Sequence, residues 1–229
     1  MIRKTISFFL TAAFPFFLLV GSILVIFQPW FLHLEYSRKD FPSDPFGFSV
    51  EDRLTYGIDS LLYITRNKPD DFLAELSFNS GDPLYNEREL SHMKDVKIVF
   101  QKAKNWWLLI LLLYAAVILT FLKRPYFQTE LCRIIVRGSL ITITAIVTIL
   151  ITVVFAFQPL FTGFHTLFFT GDSWLFYNTD SLIRLYPEKL WIDGFTLTGL
   201  LTLLFSAIFL KIGKSNVFPG FRKRNSDSR

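Results

Sequence analysis

The sequence predicts an all-α membrane protein with four transmembrane helices and a small extracellular cap. Hydrophobic residues make up 52% of the chain and aromatic residues 17%, and both are concentrated in long runs. A helix needs about 20 apolar residues to cross roughly 30 Å of hydrocarbon. Four runs approach or exceed that length, and in lipid each must be helical to satisfy its own backbone polar groups. They cover residues 6–28, 106–122, 134–157 and 192–210.

The first apolar run is predicted to be an uncleaved membrane helix. It follows Arg3 and Lys4, as the hydrophobic region of a signal peptide would. However, it is longer than such a region, and it ends in Gln28-Pro29-Trp30 without a cleavage site of small residues.

The distribution of charge predicts the orientation in the plasma membrane. The N-terminal end, the 123–137 connection and the C-terminal tail carry 12 basic residues but only two acidic ones, Glu130 and Asp227. The other two connections, residues 29–105 and 158–193, carry the remaining 12 basic residues but also 17 of the 19 acidic residues. Since Lys and Arg are retained on the cytoplasmic side, both termini are expected to be cytoplasmic. The net charge of +5 therefore indicates contact with membrane lipid, not with nucleic acid.

The helices and connections divide the predicted chain into five segments. Within the cap, apolar spacing predicts a short helix over residues 51–64 and an amphipathic run over 86–104 that continues into the second span. The second outer loop is rich in aromatic residues and is expected to dip into the membrane interface. The segments are the cytoplasmic N-terminus with the first span (1–28), the extracellular cap (29–105), the second and third spans with a basic cytoplasmic loop (106–157), the second extracellular loop (158–191), and the fourth span with a basic cytoplasmic tail (192–229).

Two of the three histidines are candidates for chemistry on the outer side. On a helix, Glu89 and Asp95 would share a face with His92 and orient its imidazole. His165 follows the third span in an apolar setting, where an unpartnered histidine is costly. His33, beside the end of the first span, is interpreted as an interfacial residue without a catalytic role.

The sequence leaves three kinds of function open at this point. It contains no nucleophile elbow, no zinc-binding helix motif and no glycine-rich phosphate loop. The chain is then an enzyme with histidine acid–base chemistry, a non-catalytic membrane module that binds a lipid or protein partner, or a metal-dependent membrane hydrolase. Cys132 is the single cysteine, so no disulfide framework and no cysteine-based metal site are expected.

Two blocks of sequence resemble the bacterial lipoprotein intramolecular transacylase family. They are residues 85–97 (YNERELSHMKDVK), and residues 164–169 (FHTLFF) together with Trp174, Asp180, Arg184, Pro187 and Glu188. The resemblance implies an acyltransferase that moves the sn-2 acyl chain of a diacylglyceryl-cysteine lipoprotein to the α-amine of the same cysteine, giving the lyso-form lipoprotein. Its partners would be diacylated bacterial lipoproteins and membrane lipid, and it implies no cofactor and no metal.

The resemblance also implies that His92 and His165 are the catalytic residues, at the outer face of the membrane. His92, with carboxylates in reach, is expected to act as the base, and a neutral His165 is expected to polarise the ester carbonyl or protonate the leaving oxygen. These roles reverse if folding brings Asp172 or Asp180 beside His165. Candidates for binding the substrate are Tyr85, Arg88, Trp174 and Arg184.

Overall fold

The computed structural model describes residues 2–78, 80–121 and 124–215, and these residues form eight helices. The predicted end of the second span at Leu122, and the basic residues Lys123, Arg222, Lys223, Arg224 and Arg229, lie outside the described residues. In chain order the helices are α1 (Ile2–Ile26), α2 (Pro29–Tyr36), α3 (Val50–Thr65), α4 (Glu87–Phe121), α5 (Pro125–Phe155), α6 (Phe157–Phe168), α7 (Ser181–Leu185) and α8 (Glu188–Lys214).

Four of these helices are long and apolar enough to cross a membrane, so the predicted fold class is confirmed. The candidate spans are Lys4–Ile26, Glu87–Thr120, Phe127–Phe155 and Glu188–Lys214. The described part of the chain has no β-strand beyond an isolated bridge between Ser77 and Pro83.

Helix α4 joins the predicted amphipathic run and the second span without a break, as the sequence indicated. Its 35 residues reach about 50 Å, which exceeds the roughly 30 Å of hydrocarbon. Its first half cannot lie in lipid, because it carries Glu87, Arg88, Glu89, Lys94, Asp95, Lys97, Lys102 and Lys104. The membrane-spanning part of α4 therefore begins near Trp106, and His92 lies outside it.

Two Gln-Pro dipeptides end the first and third spans earlier than the sequence predicted. Helix α1 ends at Ile26 and α2 starts at Pro29, whose missing N–H costs nothing at a helix start. Pro29 cannot donate to the carbonyl of Val25, which accepts from the side chain of Trp30 instead. The backbone N–H of Gln28 donates to Ile26, and its side chain donates to the carbonyl of Leu24. Helix α5 ends at Phe155, because Pro159 cannot donate to the carbonyl of that residue, and α6 begins at Phe157.

The chain divides into two compact units. The first contains the described residues within 1–23, 105–151 and 197–229. Its core includes Leu10, Phe14 and Tyr114, and the hydroxyl of Tyr114 donates to the carbonyl of Leu10. Glycines allow its helices to pack closely: a Cβ added at Gly138 would lie 2.6 Å from the Cβ of Phe14.

The second unit covers Leu24–Lys104 and Thr152–Thr196 and contains α2, α3, α6 and α7. Helix α3 matches the short helix predicted over 51–64, and a capping box between Ser49 and Asp52 fixes its start. The sequence treated residues 158–191 as a loop, whereas the structure forms α6 and α7 there. The unit has one apolar core, which consists of Phe48, Tyr63, Ile64, Leu73, Leu84, Tyr85, Met93, Leu182 and Leu185.

Candidate active site

The structure brings the two predicted catalytic histidines together within the second unit. His92 lies in the second turn of α4, and His165 lies in the last turn of α6. Their ring centroids are 5.9 Å apart, and the ring planes are within 20° of parallel. Both side chains are buried, with 5% of His92 and 8% of His165 exposed. The pair therefore forms one site that is largely withdrawn from solvent.

Aromatic rings surround this histidine pair. Phe169 contacts both members, with its ring centroid 4.9 Å from that of His92 and 5.5 Å from that of His165. Phe176 packs against His92 at 5.3 Å, and Trp174 packs against His165 at 5.0 Å. These rings leave few polar neighbours, so the site has a low effective dielectric.

One hydrogen bond sets the tautomer of His165. Its Nδ1 lies 2.8 Å from the carbonyl oxygen of Phe161, one turn earlier in α6. A carbonyl can only accept, so Nδ1 carries the proton and Nε2 keeps an available lone pair. The buried Nδ1 of His92, in contrast, has no hydrogen-bond partner among the described residues. The pair thus offers one fixed acceptor nitrogen and one ring nitrogen that lacks a partner.

Burial keeps both histidines neutral near pH 7. It lowers the pKa of His92 from the usual 6.5 to about 4, with a smaller contribution from His165. It also lowers the pKa of His165, and the hydrogen bond to the Phe161 carbonyl opposes that shift. The expectation that a carboxylate makes His92 the more basic member of the pair is therefore wrong.

The carboxylate expected to support His92 is used elsewhere. Glu89 accepts a hydrogen bond from the backbone N–H of Asn86 at 2.8 Å and another from that of Leu182 at 2.6 Å. The amide oxygen of Asn86 accepts from the N–H of Glu89, which completes a capping box at the start of α4. Glu89 thus connects the first turn of α4 to the first turn of α7.

Asp180 makes the same connection from the other side. Its carboxylate accepts from the side chains of Asn86 (3.1 Å) and Arg88 (2.7 Å) and from the backbone N–H of Tyr177 (2.8 Å). We call Glu89 and Asp180 together the carboxylate clamp. The clamp attaches the start of α4 to the segment that follows α6. Helix α4 carries His92, and α6 carries His165. Asp180 is therefore engaged with α4 and does not serve His165.

The other predicted residues fall into two groups. Trp174 contacts His165, and Arg88 lies one turn before His92 on α4. Tyr85 and Arg184 are not brought to the histidines: the hydroxyl of Tyr85 bonds with that of Ser60 in the core, and Arg184 pairs with Asp44. His33 is exposed on α2, and no ring contact joins it to the pair among the described residues.

Sequence reasoning missed the residues that shape the site most directly. Phe161, Phe169 and Phe176 were not singled out from the 27 phenylalanines of the chain. The i, i+4 spacing of Phe161 and His165 was a usable signal, but only for a segment recognised as helical.

No group of three or more His, Cys, Asp or Glu side chains is arranged to hold a metal ion in the described parts of the chain. Four apolar helices indicate a membrane-integral protein, and its candidate site is a buried histidine pair lined by aromatic rings.

Comparison with known proteins places this class more narrowly. The family model of the lipoprotein intramolecular transacylase Lit matches residues 8–191, and the chain belongs to that family. A protein of Aquifex aeolicus (strain VF5), described as uncharacterized, is 31% identical over 212 residues, which are 92% of this chain and 94% of that protein.

Solved structures of Lit from Bacillus cereus, determined in meso, have the same fold. One matches with a TM-score of 0.71 at 16% identity and covers 98% of both chains. A second, of a variant with a histidine replaced by arginine, matches with a TM-score of 0.64 at 16% identity and covers 100% of this chain and 95% of that one.

The carboxylate clamp predicts a specific loss on Glu89→Gln. The amide NH2 group cannot accept a hydrogen bond, so one of the two backbone N–H groups loses its buried partner, at a cost of about 1–3 kcal/mol. We expect the unfolding midpoint in detergent to fall by about 5 °C, as followed by tryptophan fluorescence. Glu87→Gln, an exposed change in the same turn, is the control. Equal midpoints for the two variants would contradict the clamp.

Proposed function

We propose that this chain moves the sn-2 acyl chain of a diacylglyceryl-cysteine lipoprotein to the α-amine of the same cysteine. Membership of the transacylase family supports this reaction class. The observation that carries the proposal is the buried histidine pair, in which one ring has an available lone pair and the other has an unpartnered nitrogen. The product is a lyso-form lipoprotein with a free sn-2 hydroxyl.

The reaction is an isomerisation that needs acid–base help and nothing else. The amine nitrogen attacks the ester carbonyl carbon, a C–N bond forms, and the C–O bond to the glyceryl oxygen breaks. One proton leaves the nitrogen, and one proton reaches the departing oxygen. Atoms and charge therefore balance without a cofactor, and no enzyme-bound acyl group is required.

The tautomers assign roles opposite to those expected from the sequence. The hydrogen bond of His165 uses Nδ1, and no donor among the described residues contacts its Nε2, so the Nε2 lone pair is available. It serves as the base for the nitrogen that becomes cationic on attack. His92, with its pKa lowered to about 4, is a weak base. Its N–H donates a hydrogen bond to the carbonyl oxygen, and the proton that His165 takes from the nitrogen passes to the leaving alkoxide, so both rings return to the neutral state.

The aromatic lining supplies the remaining catalytic effect. Direct attack closes an eight-membered ring, which is entropically poor in solution. Holding the two ends of the substrate together can therefore contribute much of the acceleration. A dry pocket also keeps water from hydrolysing the ester in competition with the amine. Trp174 and Phe169 contact His165, the proposed base, and form the part of the pocket nearest to it.

The proposed orientation has both termini in the cytoplasm, the segments 29–105 and 158–191 outside, and the histidine pair at the outer face. Its substrates there are diacylated bacterial lipoproteins held in membrane lipid. The segments assigned to the cytoplasm carry 12 basic residues and two acidic ones, whereas 17 of the 19 acidic residues lie within 29–105 and 158–193, and this contrast supports the orientation.

A membrane-impermeant thiol reagent tests the orientation in intact cells. On a Cys132→Ser background we expect it to label Ser43→Cys and to leave Ser215→Cys unlabelled until the cells are opened. Labelling of position 215 but not of position 43 in intact cells would show the reverse orientation.

The activity is tested by expressing the chain in a host that makes only diacylglyceryl lipoproteins. We expect the N-terminal lipopeptide to keep its mass, because the reaction is an isomerisation, and to lose reactivity towards amine reagents. Fragmentation should then place one acyl chain on nitrogen. An unchanged free amine would favour a non-catalytic membrane module, and loss of one acyl chain with gain of water would indicate a hydrolase.

Histidine variants in the same host separate catalysis from binding. His92→Ala and His165→Ala should each lower the transfer rate by about 10²–10⁴-fold, because each removes one acid–base partner. His33→Ala is the matched control and should retain activity. All three are compared at equal membrane-inserted amounts.

The lowered histidine pKa values predict the pH dependence of kcat/KM. The substrate amine has a pKa of about 8. Below that pH it becomes protonated, and kcat/KM should fall about tenfold for each pH unit. Because burial lowers the pKa of both rings below 6.5, their neutral forms persist there. In a plot of log kcat/KM against pH, the slope should therefore stay at one near pH 6.5 and should steepen only at lower pH. A slope of two already at pH 6.5, measured on a short-chain lipopeptide, would contradict the assignment of His165 as a buried base.

A further inference from the structure

A pocket of about 480 Å³ lies beside the histidine pair. Its volume falls within the range of about 300–1,000 Å³ typical of ligand sites. Phe176 belongs both to this pocket and to the surroundings of His92, and Trp174, next to Ser173, packs on His165. The residues that line it are Arg88, Asp172, Ser173, Leu175, Phe176 and Tyr177.

Two polar atoms of the lining residues are buried and have no hydrogen-bond partner among the described residues. They are Nε of Arg88 and Oγ of Ser173. The guanidinium of Arg88 is fixed on its other side, where a terminal nitrogen donates to Asp180 at 2.7 Å and the ring of Tyr177 lies 4.8 Å away. An unsatisfied buried donor costs about 1–3 kcal/mol. Two of them in one pocket indicate that a ligand with acceptor oxygens completes the site.

The position of Arg88 on α4 identifies which part of the substrate reaches this pocket. Arg88 precedes His92 by one turn, about 6 Å along the axis. The amine that reacts at the histidine pair and the carbonyl that continues into the peptide are both attached to the Cα of the lipidated cysteine, so the following residues lie directly beside the pair. At about 3.3 Å per residue, an extended chain covers that distance in two residues.

We infer that this pocket binds the backbone of the two lipoprotein residues that follow the lipidated cysteine. The inference rests on the proposed function. The Nε–H of Arg88 and the hydroxyl of Ser173 donate to carbonyl oxygens of these residues. Asp180 offsets the charge of Arg88, so the pocket does not require an acidic peptide. Recognition of backbone groups lets one enzyme accept lipoproteins of different sequence.

The test compares two synthetic substrates on the purified full-length protein. One is a diacylglyceryl-cysteinyl tetrapeptide, and the other is the diacylglyceryl-cysteine amide, which lacks the following residues. We expect wild-type kcat/KM to be higher for the tetrapeptide by about tenfold or more. Ser173→Ala, and Arg88→Lys, which keeps the charge but not Nε–H, should each lower that ratio by about five- to tenfold.

Matched controls are Thr179→Ala, in the same loop, and Arg66→Lys, both at exposed positions outside the pocket. Both should keep the wild-type ratio. Equal kcat/KM for the two substrates in the wild-type protein would overturn the inference and leave the proposed function intact. An unchanged ratio in Ser173→Ala would also overturn it. If neither substrate is rearranged, the proposed function fails and the inference fails with it.

Discussion

The carboxylate clamp is the constraint on which the site depends. His92 and His165 belong to helices far apart in the sequence, and nothing in either helix alone fixes their separation. Glu89 and Asp180 fix it by accepting hydrogen bonds from the first turns of α4 and α7 and from the loop between α6 and α7. The N–H groups at helix starts have no partners within their own helices, so a buried carboxylate satisfies them and holds the two segments in register.

The clamp also explains why the histidines are neutral. A carboxylate against either imidazole would raise its pKa and fill the space that the substrate needs. The acidic groups are instead occupied by backbone and by Arg88, and the imidazoles are left among phenylalanine and tryptophan rings. Such surroundings suit a reaction between two parts of one lipid-anchored molecule, in which the enzyme relocates single protons and excludes water.

Much of the fold could be predicted from the sequence because its determinants are local. Apolar length fixes the four spans, and the period of α3 and the first half of α4 is visible in the order of residues. The two candidate histidines could also be picked out, since a histidine in an apolar setting stands out and the resemblance included both positions; their catalytic role stays a prediction. Helix α6 was missed because it is only 12 residues long and contains Pro159 and Gly163, residues that are typical of turns and loops. The engagement of Glu89 was missed because Leu182, one of its partners, is distant in the sequence. Spacing on one helix face suggested His92 instead, so the carboxylate was assigned to the wrong partner.

Helix α4 has no glycine or proline between Glu87 and Phe121, so the turn that holds Glu89 and the turn that holds His92 move together. A displacement of the clamp is therefore passed directly to the imidazole. A substitution that loosens the start of α7 would change the distance between the two rings, even though it lies outside the site.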